Sequence, residues 1–464
     1  MSKNGTILAL GMALVTGTAA GETQQSTRDE ARDILAHVIS FNTAIGSKQV
    51  PAMAAYLAEK FRSAGFPAGD VHVIPQGETA AIVVRYRGDG GGGRPVLLLS
   101  HMDVVTARRE DWERDPFTLV EENGFFFGRG TLDIKGELAL LTTTFLRLKS
   151  ENYVPKRDLI FAFTGDEETS GASAEDLIKN HRDLIAAEFA LNSDGGGGVL
   201  DEATGKPVVS FIQGAEKTSA SYSLTVHAAG GHSSQPREPN AIYQLADALK
   251  AIQAYRFPVM SNEWTLQSFA ASAKRTPGDL GVAMGRFAAN PSDEWAANVL
   301  WQSPPNIGRT RTTCIATMIE GGHADNALPQ TATATVNCRV FPGMSLATVL
   351  DTLKRLAGDA VEVKPLYDPY VSEASPLRPD VMSAAETALK STYPGVPLVP
   401  DMAPFGTDAV PFRAGGIPTY GLTSVFIKGS DHFAHGLNER VPVRSFYTGL
   451  DFYYILLKTV GSKD

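Results

Sequence analysis

Short apolar runs of strand length alternate along this chain with stretches of helical apolar spacing, and polar residues cluster where the apolar runs stop. AAIVVRY (80–86), PVLLLS (95–100), DLIFAFT (158–164) and EFALN (188–192) read as buried strands. Residues 29–41, 51–63, 136–149 and 174–187 carry the helical period between them. Strands without polar alternation need cover on both faces, so this order predicts an α/β sheet, mixed and mostly parallel, wrapped by helices. The segment GDGGGG (88–93) spells the G-x-G-x-x-G dinucleotide fingerprint. A strand follows it rather than the helix that would hold a phosphate, so it is expected to be a hairpin connection.

Near position 215 the texture changes. SYSLTVHA, TTCIATMIEGG and TATATVNCRVF alternate apolar and polar residues, as half-exposed antiparallel strands do. With a helix capped by Asn240, another over 345–356 and the strand VEVKPL, the order is β-α-β-β-α-β. An irregular stretch from Phe257 to Arg309 interrupts it. The first texture returns after 370. The chain thus divides into a catalytic domain in two parts, 22–214 and 371–464, with a lid domain, 215–370, inserted between them.

The 464 residues exceed one ordinary core, and 43% apolar with 20% charged residues is a globular balance. A net charge of −9 with no basic stripe excludes nucleic acid as a partner. Residues 1–21 combine Lys3, a short apolar centre and small residues, the pattern of a secretory signal. It falls short of the roughly 20 apolar residues a membrane span needs, so an exported, periplasmic or secreted protein is expected.

Five polar elements stand out. His101 and Asp103 follow one buried strand; Asp133 precedes a helix; Glu167 and Glu168 follow a second strand; Asp194 follows a third, before four glycines; His435 lies near the C-terminus in DHFAHGLNERV. Asp103 is placed to accept a hydrogen bond from the ring nitrogen of His101 that faces away from a metal. Sites in open α/β sheets lie at the carboxyl ends of strands, where these groups converge. No G-x-S-x-G elbow points to a serine hydrolase.

With Trp112, Pro116 and Phe117 ahead of GRGTLDIKG, and with ATVNCRVFPG and HGLNERV, the chain resembles the dizinc aminoacylase/carboxypeptidase family, which includes glutamate carboxypeptidase, acetylornithine deacetylase and succinyl-diaminopimelate desuccinylase. The carboxypeptidase S branch is the most similar. The resemblance implies a zinc-peptidase fold and hydrolysis of an amide or peptide bond beside a free carboxylate, in a small peptide or N-acyl amino acid. It implies two Zn2+, with Co2+ or Mn2+ able to substitute: His101 and Asp194 on one, Glu168 and His435 on the other, Asp133 bridging, Glu167 as general base. It also implies a cis peptide at Asp133–Ile134. In the lid, His232 would contact the substrate carbonyl, Asn326 and Arg339 its carboxylate, and Gly406 and Thr407 the substrate backbone. In several relatives the lid histidine reaches a neighbouring subunit's site, which would make a homodimer through the lid, a contact that the 257–309 insertion stands against. Two other readings use the same residues: an inactive binding protein on this fold, and a lidless zinc aminopeptidase. The 241-position separation of Asp194 and His435 fits an inserted lid rather than the latter.

Cys314 and Cys338 lie on the two lid strands flanking Asn326. A register pairing them also pairs Ala316 with Val336, Met318 with Ala334 and Thr317 with Thr335. Cross-strand Cβ spacing of about 4.5–5.5 Å is wide for a disulfide, so neighbouring buried thiols are expected.

Overall fold

The structure, a computed structural model, describes residues 11–462, with side chains from Gln24 onward. The leader reading therefore falls outside the described side chains. No helix among the described residues is long and apolar enough to cross a membrane. The chain forms two compact units: Met1–Ser210 with Pro379–Pro397 and Leu422–Asp464, and Phe211–Arg378 with Leu398–Gly421. The insertion begins close to the expected point, but residues 398–421, carrying Gly406 and Thr407, fall in the second unit rather than with the C-terminal part of the first.

The first unit is built on strands β1 (Val71–Gln76), β2 (Thr79–Tyr86), β3 (Val96–His101), β4 (Leu159–Thr164) and β5 (Phe189–Asn192), in the spatial order β1-β2-β4-β3-β5. β3 runs parallel to both β4 and β5, while β2 is antiparallel to β1 and β4. The sheet is thus mixed. All six residues of β3 and of β4 are buried, as their unbroken apolar runs require. Helix α1 (Gly11–Ser40) buries Ala31, Ile34, Leu35, Val38 and Ile39, one stripe at 3–4-residue spacing. Helix α2 (Val50–Ser63) does the same with Met53, Leu57 and Phe61. Helix α3 (Lys135–Ser150) is buried nearly all round. It accommodates Thr142, Thr143 and Thr144 because each hydroxyl donates to the carbonyl four residues back, at 2.8 Å.

Two expectations fail here. The 88–93 glycines do not make a hairpin, because β4 lies between β2 and β3. Instead the loop lies along 155–158: the amides of Asp89 and Gly92 donate to Pro155 and Lys156 carbonyls, and that of Gly88 to the Asp158 carboxylate. A Cβ on Gly88 would come within 2.7 Å of the Arg157 backbone. The helix expected over 174–187 is two short ones, Ala172–Asn180 and Arg182–Ile185, separated at His181.

The second unit carries the predicted lid. Its sheet contains β6 (Thr218–His227), β8 (Thr313–Gly321), β10 (Thr331–Val340) and β11 (Val361–Pro365), in the order β8-β10-β6-β11, all antiparallel. A ribbon of β7 (Gly231–His232) and β9 (Ala327–Leu328) lies beside it in sequence. Helix α4 (Ala241–Ala254) starts where Asn240 accepts the amides of Ile242 and Tyr243. β6 and β10 alternate buried and half-buried residues, with Tyr222, Leu224, Val336 and Cys338 in the core. The inserted stretch, irregular in composition, is helical: α5 (Glu263–Ala273), α6 (Gly278–Ala289), α7 (Glu294–Trp301) and α8 (Pro304–Ile307). Phe269, Phe287, Ala296 and Leu300 give it a small core of its own. Helix α9 (Leu346–Ala357) completes the lid.

Cys314 pairs with Cys338 and Ala316 with Val336, as expected. A bulge at Thr317 then shifts the register, so Met318 faces Thr335 and Ile319 faces Ala334. The expected Met318–Ala334 and Thr317–Thr335 pairs do not form, and Ala316 and Met318 are exposed rather than on a buried face. The cysteines form a disulfide, not adjacent free thiols, across a Cα separation of 4.0 Å. The strands approach more closely here than the average spacing on which the thiol expectation rested.

Candidate active site

His101 ends β3 and is 1% exposed. Its Nδ1 lies 3.0 Å from the Asp103 backbone carbonyl and 3.4 Å from the Asp103 carboxylate. Both are acceptors, so Nδ1 carries a proton and donates, and Nε2 faces the site. Asp103 does more than orient this ring. Its two oxygens accept the backbone amides of Glu167, at 3.1 Å, and Glu168, at 2.9 Å, which fixes the turn after β4. Asp194 follows β5, its turn held by Asn192, whose side chain donates to the Asp194 carbonyl and accepts its amide. Gly196 and Gly197 then take φ of +74° and +107°, which a side chain would resist.

Asp133 precedes α3 and is joined by a cis peptide to Ile134, the residue before the helix. Its two carboxylate oxygens face different imidazoles: Oδ1 lies 3.2 Å from His101 Nε2, Oδ2 lies 3.1 Å from His435 Nε2. His435 Nε2 is also 2.9 Å from Glu168, and His101 Nε2 is 3.9 Å from Asp194. Each imidazole therefore sits with its own carboxylate and shares Asp133. His101, Asp133 and Asp194 bring ligand atoms within 4.8 Å of one another, as do Asp133, Glu168 and His435. His101, Glu167 and Glu168 do so as well, placing Glu167 in the same cluster.

One buried pair was missed in sequence. Glu439, fully buried, accepts the amides of Gly130, Leu132 and Asp133 on one oxygen, at 2.8–3.1 Å. Its other oxygen takes Arg129 Nη1 at 2.6 Å. Arg129 Nη2 donates to the Gly436 carbonyl. The pair joins the loop carrying Asp133 to the loop carrying His435. Both residues stand in quoted motifs, GRGTLDIKG and HGLNERV, but 310 positions apart.

The cluster's electrostatics are those of a cation site. Burial opposes charge on His101, but hydrogen bonds to Asp103 and Asp133 outweigh it and hold the ring well above its usual range. Hydrogen bonds to Asp133 and Glu168 push His435 up to about 10. Burial would raise Asp133, yet the two histidines hold its carboxyl far below the usual range. Two protonated rings thus stand where positive charge is needed among converging carboxylates. Imidazole and carboxylate donors suit a borderline divalent ion, so the residues fit a two-metal site. Metal must displace the Nε2 proton of each ring. Affinity is therefore expected to rise with pH until the rings lose these protons, for His435 at about 10, with proton release on binding. Calorimetry in buffers of different ionisation enthalpy checks this; pH-independent affinity would contradict it. In the metal-free protein the sign reverses: stability from His435⁺ is full below an unfolded pKa of about 6.5 and lost as pH rises through about 10.

The lid residues lie together in part. His232 pairs with Ala327, and the Ser233 amide donates to the Asn326 carbonyl at 2.9 Å, so His232 and Asn326 are neighbours. Arg339 on β10 pairs with Thr313 and Ser219 and makes no ion pair among the described residues. The Thr407 hydroxyl donates to buried Glu216, at 2.9 Å, which also takes Arg413 at 2.6 Å. The Thr407 amide donates to Glu216 as well, at 3.4 Å, and the Thr407 carbonyl accepts the Val410 amide. Gly406 packs on the Lys217 carbonyl, 3.1 Å from where a Cβ would sit.

Residues 97–459 match the model of peptidase family M20/M25/M40. The chain belongs to that family. It is an enzyme of the metallopeptidase/amidohydrolase type. The N-fatty-acyl-amino acid synthase/hydrolase of Xenopus tropicalis is 30% identical over 377 residues, 78% of this chain and 72% of that protein. Aminoacylase-1 of Mus musculus is 25% identical over 417 residues, 88% of this chain and 89% of that one. Among solved folds, an M20 family metallo-carboxypeptidase from Sulfolobus solfataricus superposes with TM-score 0.71 at 19% identity, covering 93% of this chain and 99% of its own. The Bacillus subtilis protein described as a dinuclear metal binding peptidase of this family shares the fold at TM-score 0.60 and 11% identity, over 94% of this chain and 98% of its own. The lid sheet sets the chain apart from lidless aminopeptidases, and an inactive scaffold is not supported, since every expected ligand is present and converges.

Proposed function

We propose that the chain is a dizinc hydrolase that cleaves the amide of an N-acyl amino acid, or the last peptide bond of a small peptide, beside a free carboxylate. The observation that carries this is the Asp133 carboxylate, with one oxygen toward each imidazole. His101 and Asp194 would hold one ion and Glu168 and His435 the other, with Asp133 shared; Co2+ or Mn2+ would substitute. Bound zinc supplies Lewis acidity for the amide carbonyl and lowers the pKa of water. Glu167 takes the proton of the attacking water and returns it to the leaving nitrogen. Asp103 keeps both roles apart: by fixing the Glu167 and Glu168 amides it leaves one carboxylate for metal and one for the proton. In the lid, His232 and Asn326 meet the carbonyl and Arg339 pairs with the carboxylate, which its planar fork suits. The fatty-acyl and aminoacylase relatives support the substrate class. Zinc-loaded protein incubated with N-acyl amino acids, dipeptides and their C-terminal amides tests it. Cleavage only of free-carboxylate substrates is expected; equal cleavage of the amides would overturn the assignment.

The disulfide supports export, because such bonds persist in oxidising compartments. A lid-to-lid homodimer is supported by β8, an edge strand that exposes Ile315, Met318 and Ile319 at 67–69%. Sedimentation should give a dimer that Met318→Asp with Ile319→Asp converts to monomer; a monomeric parent protein would remove this reading.

A further inference from the structure

Glu137 is a buried acidic residue that the hydrolytic chemistry does not use. It stands in the first turn of α3, four positions after Asp133, and is 1% exposed. An acid in that place ordinarily serves the amides of its own helix. This one turns to another loop. Its Oε1 accepts the backbone amides of Ser424, at 3.0 Å, and Val425, at 3.1 Å, together with the hydroxyls of Thr423 and Ser424. The Ser424 hydroxyl also reaches Oε2, at 3.1 Å, and the Tyr453 hydroxyl adds a further hydrogen bond. Burial raises the carboxyl, and these hydrogen-bond donors oppose the rise. Neither side of the contact can exchange its partner for water, so the loop is pinned to the helix.

The pinned loop runs along the turn that carries Asp194. The Leu422 amide donates to the Asn192 carbonyl, at 2.7 Å, and the Thr423 amide to the Gly195 carbonyl, at 3.0 Å. Asp194 stands between those two acceptors. The Gly198 amide returns a bond to the Val425 carbonyl, at 3.0 Å, and Phe426 and Ile427 then pair in parallel with Gly198 and Val199. Gly197 permits the approach, since a Cβ there would lie 2.9 Å from the Thr423 side chain. A short path therefore joins two of the site's carboxylates: Asp133, one helical turn, Glu137, Thr423, Gly195 and Asp194. The Arg129–Glu439 pair ties the Asp133 loop to the His435 loop, and Glu137 ties it to the Asp194 turn.

We infer that Glu137 is a positioning residue for the ion assigned to His101 and Asp194. It fixes Asp194 relative to Asp133, so that both carboxylates meet one ion. The other ion's ligands are held elsewhere, Glu168 by Asp103 and His435 by Arg129 and Glu439. The inference rests on the two-ion assignment given above and deepens it: the two affinities are set by separate supports.

Zinc affinities of the full-length protein, measured by competition with a chromophoric chelator, test this. Glu137→Leu and Glu137→Gln are compared alone and combined with Asp194→Asn or Glu168→Gln. In Glu137→Leu one ion should bind about 10–100-fold more weakly, as when an outer support of a metal ligand is removed, and the other should be unchanged. The loss should persist beside Glu168→Gln, where the remaining ion is that of His101 and Asp194, and vanish beside Asp194→Asn. Glu137→Gln keeps an oxygen for the two amides and should recover most of the loss. If Glu137→Leu does not fold, Thr423→Val with Ser424→Ala removes only the hydroxyl contacts and should give a smaller loss at the same ion. Equal weakening of both ions, a loss that survives Asp194→Asn, or a lower melting temperature with unchanged affinities would overturn the inference and leave Glu137 a support of the fold alone. A parent protein that takes up a single ion would instead defeat the two-ion reading. The Glu137–Asp194 coupling would still stand there if Glu137→Leu weakened that ion and had no effect beside Asp194→Asn.

Discussion

Glu167→Gln should lower turnover by at least about 10²–10⁴-fold while two metal ions per chain stay bound. Glutamine keeps the size of the side chain but cannot take a proton from water. The Glu167 amide is fixed by Asp103, so its placement does not depend on the carboxylate being charged. Glu168→Gln should behave differently. Glu168 contacts His435 at 2.9 Å, and losing its charge should cost one of the two ions. Metal analysis beside single-turnover rates separates the two. If Glu167→Gln loses an ion and Glu168→Gln keeps both, the roles are reversed.

Arg339→Ala should cost roughly 2–5 kcal/mol in kcat/KM for substrates with a free carboxylate, as truncation of one partner of a buried charge pair does. For C-terminal amides and esters the loss should be far smaller. The guanidinium has no carboxylate partner among the described residues, so the substitution removes a ligand contact without breaking an internal pair. Arg339→Lys should recover only part, since an ammonium cannot make the bidentate contact. Equal losses on acids and amides would show that Arg339 supports the lid instead.

The candidate metal cluster was legible because its residues stand where short, fully apolar strands stop. His101 closes a six-residue buried run, and Glu167 and Asp194 follow two others within three residues. What holds those residues was not legible. Glu439 and Arg129 meet only through the fold, and no local pattern marks an acceptor that gathers three amides of a distant loop. The inserted helices escaped for another reason. Over 263–273, EWTLQSFAASA spreads its apolar residues around the helix, and its start is set by an Asn262–Thr265 capping box rather than by a stripe. In the lid hairpin the register held as far as Ala316 and then slipped. Strand β8 is exposed beyond Cys314, so no buried face penalised the bulge. Lys217 reads in sequence as an ordinary lysine between two strands. Only the packing of 308–313 and 404–406 around it makes it a buried cation.

The account depends above all on Asp133 serving two ions at once. Elemental analysis of active parent protein and of Asp133→Asn, each equilibrated with zinc and freed of excess, tests this most directly. The account predicts about two zinc ions per chain in the parent and at most one in the variant, with activity lost. Two tightly held ions in Asp133→Asn, or full activity in parent protein carrying a single ion, would contradict it.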